Sequence, residues 1–221
     1  MNKKVVIFGA SGHAKSIAVV LESLNYEIIG FIDSFLPSNT EVLKYRTLGN
    51  EHLLRNCFEN FGTNNIVIGI GSISDRKEIV KLINNLNKNI EFPTIISPYS
   101  NVASYTNIGK GTVVLGNASI NVESSIGEFC IISSSSNIEH NSIIGDYCNI
   151  SPCSNIGAYV SIKSSVFIGA SSTIIQKKTI GENSVIGAGA VVISDIPNDV
   201  LALGIPATIR KEKYQNKDIL K

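Results

Sequence analysis

A repeat of six residues runs from Asn101 to Ile196 without insertion or deletion, and it constrains the fold of this chain more than any other feature. Sixteen consecutive hexapeptides fill the segment, and the second residue of every one is Ile or Val. The sixth residue is Ser, Thr, Ala, Cys or Val in all but two, and Gly follows the second residue in seven. A fixed hexapeptide period is a sequence signature of a parallel β-helix.

The residue types of the repeat indicate how such a helix closes. The β-branched second residue packs inward from a short strand, the glycine at position three is expected to allow a turn, and the small sixth residue is expected to fit inside the next corner. Three hexapeptides then form a triangular coil, and coils stack at the strand spacing of about 4.8 Å. An all-β sandwich, with strands every 8–12 residues or so, does not account for a phase held over sixteen repeats. We expect one inward ladder, with one residue per coil, at Ile108, Ile126, Ile144 and Ile162.

The residues before the repeat follow a different pattern, in which short apolar runs alternate with segments of helical periodicity. Such an alternation predicts a parallel sheet with crossover connections, which is a small Rossmann-like α/β unit. We therefore predict an α/β domain over residues 1–96 and a β-helix domain with a C-terminal tail over residues 97–221. The predicted strands are Lys4–Phe8, Glu27–Ile32 and Asn65–Ile70, and the predicted helices are 14–24 and 75–86. The predicted apolar face of the second helix is Ile79, Leu82, Ile83 and Leu86.

Charge and hydropathy exclude several classes of function. The net charge of the 221 residues is +1, so nothing indicates a surface for nucleic acid or for an anionic membrane. No apolar run reaches the length of a membrane span, and the first residues do not have the pattern of a signal peptide. We therefore expect a soluble, cytoplasmic protein.

The four cysteines do not form a metal-binding pattern. None belongs to a CxxC pair or lies near a cluster of histidines, so the sequence does not indicate a zinc site. Cys130 and Cys148 both occupy position six and are one coil apart. We expect them to be stacked, buried thiols, because a reducing compartment is expected for this chain.

A loop with two glycines, Gly9–Gly12, connects the first predicted strand to the first predicted helix. It holds one Gly-x-x-Gly rather than the full G-x-G-x-x-G of dinucleotide-binding domains. A simple turn and an anion site, in which N–H groups at the helix start hold a phosphate or a sugar acid, both fit this loop. Asp33 ends the next strand, where an acidic residue commonly holds a ribose hydroxyl. A domain of about 95 residues is short for NAD, so its size fits a nucleotide sugar better than a dehydrogenase cofactor.

The chain has three histidines, and they differ in context. His52 lies in a polar stretch and is expected at the surface, while His13 in the glycine loop either caps the helix or contacts a ligand. His140 is the fourth residue of its hexapeptide, at a corner, between Glu139 and Asn141. An exposed corner histidine is more often idle than catalytic, yet this one is the only side chain of the repeat suited to be a general base near pH 7. The repeat alone leaves both possibilities open.

Five segments carry a resemblance to a known family. They are VVIFGASGHAKSI at the start, FID at Phe31–Asp33, IGIGSISDRK at Ile68–Lys77, SNIEHNSIIGDYCNIS at Ser136–Ser151 and LGIPATIRK at Leu203–Lys211. Together they resemble the sugar acyltransferases of the left-handed β-helix superfamily over nearly the whole chain. Within that superfamily the chain is most similar to the nucleotide-sugar N-acetyltransferases of bacterial glycan pathways and to the sialic acid O-acetyltransferase branch. The Ile-Glu-His phrase and the Gly-x-Pro-Ala near the end are the specific motifs, since hexapeptides alone indicate only the superfamily.

The resemblance implies a fold, substrates and a site. It implies a left-handed parallel β-helix that follows the Rossmann-like domain in the chain. It also implies a homotrimer with its active site between two subunits, acetyl-CoA along the outer β-helix face, and no metal. It also implies that His140 is the general base, with Glu139 as its supporting neighbour and Asn141 beside it. The residues that it places around the sugar nucleotide are Ser11, Gly12, His13, Asp33, Ser34, Gly71 and Ser72. Those that it places along the acetyl-CoA are Asn149, Ala170 and Ala188.

Three positions depart from the pattern of the amino-sugar enzymes. Asn141 stands where an acidic residue often follows the histidine, and Ser133 stands where Asn is common. Asn149 stands where some members have His, although the sialic-type branch also has Asn there. The acceptor therefore stays open between the amino group of a nucleotide-linked amino-deoxy sugar and the hydroxyl of a sialic-acid-like or other sugar.

Two further classes also stay open at this point. A hexapeptide-repeat protein without activity is one, although the chain lacks the three-histidine set of a β-helix carbonic anhydrase. An NAD-dependent enzyme that uses the glycine loop is the other, and binding of a nicotinamide cofactor would distinguish it.

Overall fold

A computed structural model describes residues 3–212, so most of the predicted C-terminal tail lies outside the described residues. The chain divides into two compact units, one that ends at Pro98 and one that begins at Tyr99. No helix within residues 3–212 combines the length and the apolar character needed to cross a membrane. Within the same residues, no group of three or more His, Cys, Asp and Glu side chains is arranged to hold a metal ion.

The first unit is built on a five-stranded sheet. Its strands are β1 (Lys4–Phe8), β2 (Glu27–Ile32), β3 (Glu41–Val42), β4 (Tyr45–Gly49) and β5 (Ile66–Ile68), and their order is β3-β4-β2-β1-β5. All neighbours are parallel except β3, which pairs antiparallel with β4. The helices are α1 (Gly12–Ser23), a 3₁₀ helix (Glu51–Asn56), α2 (Cys57–Phe61) and α3 (Ile73–Leu86), and a short strand β6 (Ile95–Ile96) follows. The parallel arrangement of β1, β2 and β5 confirms the predicted Rossmann-like unit, whereas β3, β4 and the two short helices were not predicted.

The buried face of α3 differs from the predicted one. Ile73, Arg76, Val80 and Ile83 are buried, while Ile79 and Leu82 are only half-buried. The difference arises at Arg76, which is only 1% exposed. A charged residue in an amphipathic helix is expected on the face that is exposed to solvent. The Nη1 of Arg76 donates to the carbonyl oxygens of Ile70 and Gly71, at 2.8 and 2.9 Å, so the buried guanidinium keeps hydrogen-bond partners.

The second unit is a parallel β-helix with three faces. Positions one and two of every hexapeptide form a strand, and each strand pairs with the strand one coil away. Face 1 contains β7 (Asn101–Val102), β10 (Ser119–Ile120), β13 (Asn137–Ile138), β16 (Asn155–Ile156), β19 (Thr173–Ile174) and β22 (Val191–Val192). Face 2 contains β8 (Asn107–Ile108), β11 (Ser125–Ile126), β14 (Ile143–Ile144), β17 (Ser161–Ile162) and β20 (Thr179–Ile180). Face 3 contains β9 (Val113–Val114), β12 (Ile131–Ile132), β15 (Asn149–Ile150), β18 (Phe167–Ile168) and β21 (Val185–Ile186), followed by β23 (Val200–Leu203) and β24 (Thr208–Glu212).

The interior of the β-helix has the predicted composition. Ile126 pairs in register with Ile108 on one side and Ile144 on the other, and the ladder continues to Ile162. The residues at position six are buried at the corners, except Thr106 and Lys178, which are half-buried. Among them, Cys130 and Cys148 are buried free thiols, as predicted.

The turn of each coil lies at position five rather than at the glycine of position three. From Tyr105 to Asn183, the non-glycine residues at position five have φ between 53° and 64°, and Glu123, Asn141 and Tyr159 are three of them. This left-handed conformation costs a residue other than Gly about 1 kcal/mol. The cost is offset because the N–H donates to the neighbouring coil, as Asn141 does to the carbonyl oxygen of Val122 at 3.1 Å.

The glycines at position three are required by the stacking of coils. A Cβ atom on Gly145 would lie 2.6 Å from the backbone nitrogen of Ser164, and one on Gly127 would lie 2.7 Å from that of Asp146. Neither glycine has a positive φ. The expectation that this glycine forms the turn is therefore wrong, because its role is to let two backbones approach.

We predict that Gly145→Ala lowers the free energy of unfolding by roughly 1–3 kcal/mol, because the added methyl group forces neighbouring coils apart. Gly12→Ala is the control, since a Cβ there has no atom within 4 Å and should change stability by less than about 0.5 kcal/mol. Urea denaturation followed by circular dichroism measures both. Equal stability of the two variants would contradict the stacking role.

Candidate active site

His140 lies at the corner between face 1 and face 2, and its side chain is half-buried. The imidazole Nδ1 is 2.8 Å from the Oδ1 of Asn141. The ring of Tyr159, one coil further on, meets the imidazole edge to face, with ring centroids 5.3 Å apart at 86°. Two side chains at position five therefore hold the imidazole, one through Nδ1 and one through a ring contact.

Glu123 extends this cluster by one coil. The Nδ2 of Asn141 donates to the Oε2 of Glu123 at 2.6 Å, so Asn141 connects a carboxylate to the imidazole of His140. Glu123 was not among the site residues predicted from the sequence. The signal that identifies it is its place at position five, one coil before Asn141, since residues 18 apart are neighbours in the stack.

Glu139 is turned toward other partners. Its carboxylate accepts hydrogen bonds from the Nδ2 of Asn137 at 3.0 Å and the Nδ2 of Asn121 at 3.1 Å. These two bonds, that from Asn137 first, lower the pKa of the Glu139 carboxyl. A supporting role of Glu139 toward His140 stays a prediction, and the hydrogen-bond partner at the imidazole is Asn141.

The predicted sugar-nucleotide residues follow the carboxyl ends of three neighbouring parallel strands. Ser11, Gly12 and His13 come after β1, Asp33 and Ser34 after β2, and Gly71 and Ser72 after β5. Because β1 lies between β2 and β5, these segments share one edge of the sheet, which is where ligands bind in open α/β sheets. A cavity of about 270 Å³ opens at this edge, and Asp33 and Ser34 are in its wall. The other lining residues are Phe8, Gly9, Phe35, Ile70, Asp75, Glu78 and Ile79.

The carboxylate of Asp33 holds two loops together. Its Oδ2 accepts from the backbone N–H of Ala10 at 3.0 Å, and its Oδ1 accepts from those of Phe35 and Leu36 at 2.9 and 3.1 Å. A carboxylate oxygen has two lone pairs, so Oδ2 keeps one acceptor position for a ligand hydroxyl. The neighbouring Ser34 donates from Oγ to the carboxylate of Glu51 at 2.7 Å, which lowers the pKa of that carboxyl.

The other predicted residues of this edge have local structural roles. Ser11 is the N-cap residue of α1, although its side chain makes no capping hydrogen bond. Ser72 caps α3, and its Oγ accepts from the backbone N–H of Asp75 at 3.4 Å. Gly12 is exposed, and the carbonyl oxygen of Gly71 accepts from Arg76. These residues lie at the ligand edge, and their contacts with a sugar nucleotide stay predictions.

His13 lies beside this loop as a half-buried, neutral base. Its burial, with the positive charge of Arg76 as a second cause, lowers the pKa of its imidazole to about 4. Within the described residues, its Nε2 is buried without a hydrogen-bond partner. An unpaired buried polar atom is rare in native proteins and requires an explanation. Ser11 occupies the N-cap position, so His13 is not the capping residue, and its contact with a ligand stays a prediction.

The predicted acetyl-CoA residues lie at another edge of the β-helix. Asn149 begins β15 on face 3, and Ala170 and Ala188 occupy position four at the corner that follows this face, one coil apart. The backbone N–H of Gly189 donates to the carbonyl oxygen of Ala170 at 2.8 Å. Face 1 lies between this corner and that of His140, so a single chain does not bring the histidine and the alanines to one edge.

Comparison with family models and solved structures agrees with both units. The model of the PglD N-terminal domain matches residues 4–83, and the bacterial transferase hexapeptide model, with six repeats, matches residues 123–158. A crystal structure of a single-residue variant of the GDP-perosamine N-acetyltransferase from Caulobacter crescentus, in complex with CoA and GDP-perosamine, is 28% identical with a TM-score of 0.88. The likeness covers 95% of this chain and 97% of that one. The acetyltransferase domain of PglB from Neisseria gonorrhoeae, in complex with acetyl coenzyme A, is 25% identical with a TM-score of 0.84, over 95% and 100% of the two chains.

Curated relatives such as a galactoside O-acetyltransferase match over a short part of this chain. The galactoside O-acetyltransferase of Escherichia coli K12 is 45% identical over 53 residues, which is 24% of this chain and 26% of the relative. The chain thus spans about a quarter of that protein's length. The resemblance and the fold predicted from sequence are confirmed: the chain combines a PglD-type N-terminal domain with hexapeptide repeats, in the fold of sugar N-acetyltransferases of the left-handed β-helix superfamily.

We predict that His13 makes the first unit sensitive to acid. Its pKa is about 4 in the folded chain and about 6.5 when unfolded, so the unfolded chain binds more protons between these values. Stability therefore falls as the pH falls through this window, by about 2 kcal/mol between pH 7 and pH 4.5.

Urea denaturation of the native protein, His13→Gln and His52→Gln at both pH values measures this effect. His13→Gln should lose less stability on acidification than the native protein, while the exposed His52 serves as the control. Equal pH dependence of all three proteins would refute the prediction.

Proposed function

We propose that this protein is an acetyl-CoA-dependent acetyltransferase that transfers acetyl to the amino group of a nucleotide-linked amino-deoxy sugar, in bacterial glycan biosynthesis. The observation that carries the proposal is the likeness, over both units, to an enzyme crystallised with CoA and a nucleotide-linked amino sugar. A second acetyltransferase structure with acetyl coenzyme A, equally similar in extent, supports the same donor.

The chemistry assigned to the corner histidine is general base catalysis. The Nε2 of His140 takes the proton of the sugar amine as the nitrogen forms its bond to the thioester carbonyl carbon. When the tetrahedral intermediate collapses, the carbon–sulfur bond breaks, and the imidazolium returns the proton to the CoA sulfur. A backbone N–H of a neighbouring coil is a suitable donor for the oxyanion, and holding both substrates supplies much of the remaining rate enhancement.

Each unit has a proposed substrate. In the N-terminal domain (residues 1–96), the ligand edge and its cavity receive the sugar nucleotide, with Asp33 and His13 as the polar groups best placed to contact it. In the β-helix domain (residues 97–221), the corner of Ala170 and Ala188 receives acetyl-CoA. Small side chains at this corner leave backbone groups accessible, and Asn149 contributes an amide from the adjoining face.

We propose a cytoplasmic homotrimer with each active site between two subunits. The separation of His140 from the corner of Ala170 on one chain supports a shared site, since a neighbouring copy can supply the missing half. Exposed apolar side chains near the histidine corner support a protein partner there: Ile143 is 58% exposed and Tyr159 is 54% exposed.

O-acetylation of a sialic-acid-like or other sugar hydroxyl is the second candidate. The local match to a galactoside O-acetyltransferase and the presence of Asn149 rather than His favour it. An assay of thiol release from acetyl-CoA with nucleotide amino sugars, and separately with their hydroxyl analogues, distinguishes the two. If neither group of acceptors causes thiol release from acetyl-CoA, the protein is not an acetyltransferase for these sugars.

We predict that His140→Ala lowers kcat by roughly 10²–10⁴ because a general base contributes about that much. Binding of acetyl-CoA, measured by calorimetry, should be unchanged, and stability should change little because the side chain is half-buried at a corner. The matched control is His52→Ala, which removes an exposed histidine. Near-normal turnover in His140→Ala would show that the base is another group.

We predict a mass of about three times 23.7 kDa in sedimentation equilibrium, and complementation between two inactive variants. His140→Ala lacks the base, and Ala188→Trp blocks the proposed acetyl-CoA corner. Trimers formed by refolding an equal mixture should regain about a quarter of native activity, because that share of interfaces joins two intact halves. A monomeric mass, or no recovery from the mixture, would contradict a site shared between subunits.

A further inference from the structure

We propose that Glu123 is a positioning residue that acts through Asn141 to fix the tautomer of His140. The catalytic part of this inference rests on the proposed function, whereas the tautomer itself is a property of the folded chain. The three side chains form one hydrogen-bonded row across two coils, from carboxylate to amide to imidazole.

The direction of the row follows from which groups can donate. An ionised carboxylate only accepts hydrogen bonds, so Glu123 requires the amide nitrogen of Asn141 to face it. The amide oxygen then faces the imidazole, and an amide oxygen also only accepts. The Nδ1 of His140 must therefore carry the hydrogen, which leaves the lone pair on Nε2. This is the tautomer that a base acting through Nε2 needs.

The backbone of the coil holds this row in place. Asn141 has a φ of 57° and Glu123 a φ of 59°, and both occupy position five of adjacent coils. Asn adopts this left-handed conformation more readily than most residues. Because the two residues share a conformation and a position in the stack, their side chains leave the coil side by side and meet at 2.6 Å.

A second asparagine–carboxylate pair in the chain makes it possible to distinguish positioning of the His140 imidazole from simple stabilisation of the fold. Asn183 also occupies position five with a φ of 58°, and its Nδ2 donates to the Oδ1 of Asp199 at 3.0 Å. The residue before Asn183 is Glu182 rather than a histidine. This second pair shows that such a contact can occur at a corner that has no histidine. It therefore provides a matched control for the pair at His140.

The decisive variant is Glu123→Gln, which keeps the shape but replaces an acceptor-only group with an amide. The Asn141 amide can then lie in either orientation, and both tautomers of His140 become accessible. The double variant Glu123→Gln/Asn141→Asp restores an acceptor-only group beside Nδ1, while the new glutamine donates to the new carboxylate. We therefore expect the single variant to lose the tautomer and the double variant to recover it.

Long-range ¹H–¹⁵N correlation spectra of the histidine rings, recorded with the imidazoles neutral, measure the tautomer without any substrate. The chain has only three histidines, so His13→Gln and His52→Gln assign the signals. The native protein should show Nδ1 protonated, Glu123→Gln should show a mixture, and Asp199→Asn should match the native protein. A dominant Nε2–H tautomer in the native protein, or no change in Glu123→Gln, would overturn the proposal.

Kinetics with the acceptor adds the catalytic readout. Glu123→Gln should lower kcat by roughly 10-fold or more, as for outer groups that orient other histidines, with an unchanged KM for acetyl-CoA. The double variant should regain most of kcat. A mixed tautomer in Glu123→Gln with no acetyl transfer by the native protein supports the positioning and refutes the proposed function. Active native protein with equal kcat in Glu123→Gln refutes the positioning alone.

Discussion

The stacking of identical coils at a fixed offset of 18 residues is the constraint on which the rest of the second unit depends. Every strand of the sixteen hexapeptides is only two residues long, so no coil is stable by itself, and stability comes from hydrogen bonds and buried ladders between neighbours. That stacking requires a left-handed residue at position five and, where the backbones approach most closely, a glycine at position three. A single inserted residue would shift every inward side chain after it to the wrong position.

The same stacking brings residues that are distant in the sequence close together in space. Residues 18 apart at one repeat position lie side by side, so a corner collects side chains from several coils without any loop. Glu123, Asn141 and Tyr159 come together around His140 in this way, from three successive coils. The β-helix is therefore a rigid support in which the site is assembled by register, and a rigid support holds a histidine in one orientation better than a loop does.

The sequence predicted those features that depend on periodicity alone. The inward ladder of Ile126 and Ile144, the small buried residues of position six and the parallel sheet of the first unit all follow from spacing and residue size. The turn at position five could not be predicted, because Tyr, Glu, Asn, Phe, Ser and Lys all occupy it and no residue type marks it. The burial of Arg76 was missed because a charged residue is expected at the surface, and periodicity does not show that the carbonyl oxygens of Ile70 and Gly71 accept from its guanidinium. The spacing of 18 residues places Glu123 beside Asn141, but it does not show that their side chains meet. Glu123 was missed because that contact depends on the backbone conformation at position five.

The asparagine beside the histidine bears on which acceptor suits the proposed acetyl transfer. An amide transmits the orientation that a carboxylate would impose, but it moves the negative charge of Glu123 one coil away from the imidazole, where Coulomb attraction is weaker. A sugar hydroxyl is a very weak acid and needs strong assistance to lose its proton. An amine becomes a nucleophile with much less assistance, because its lone pair is available once the ammonium form has lost a proton to solvent. Although the amino-sugar enzymes often have an acidic residue at the position of Asn141, a well-oriented histidine without one at Nδ1 still supplies the modest assistance that an amino group needs.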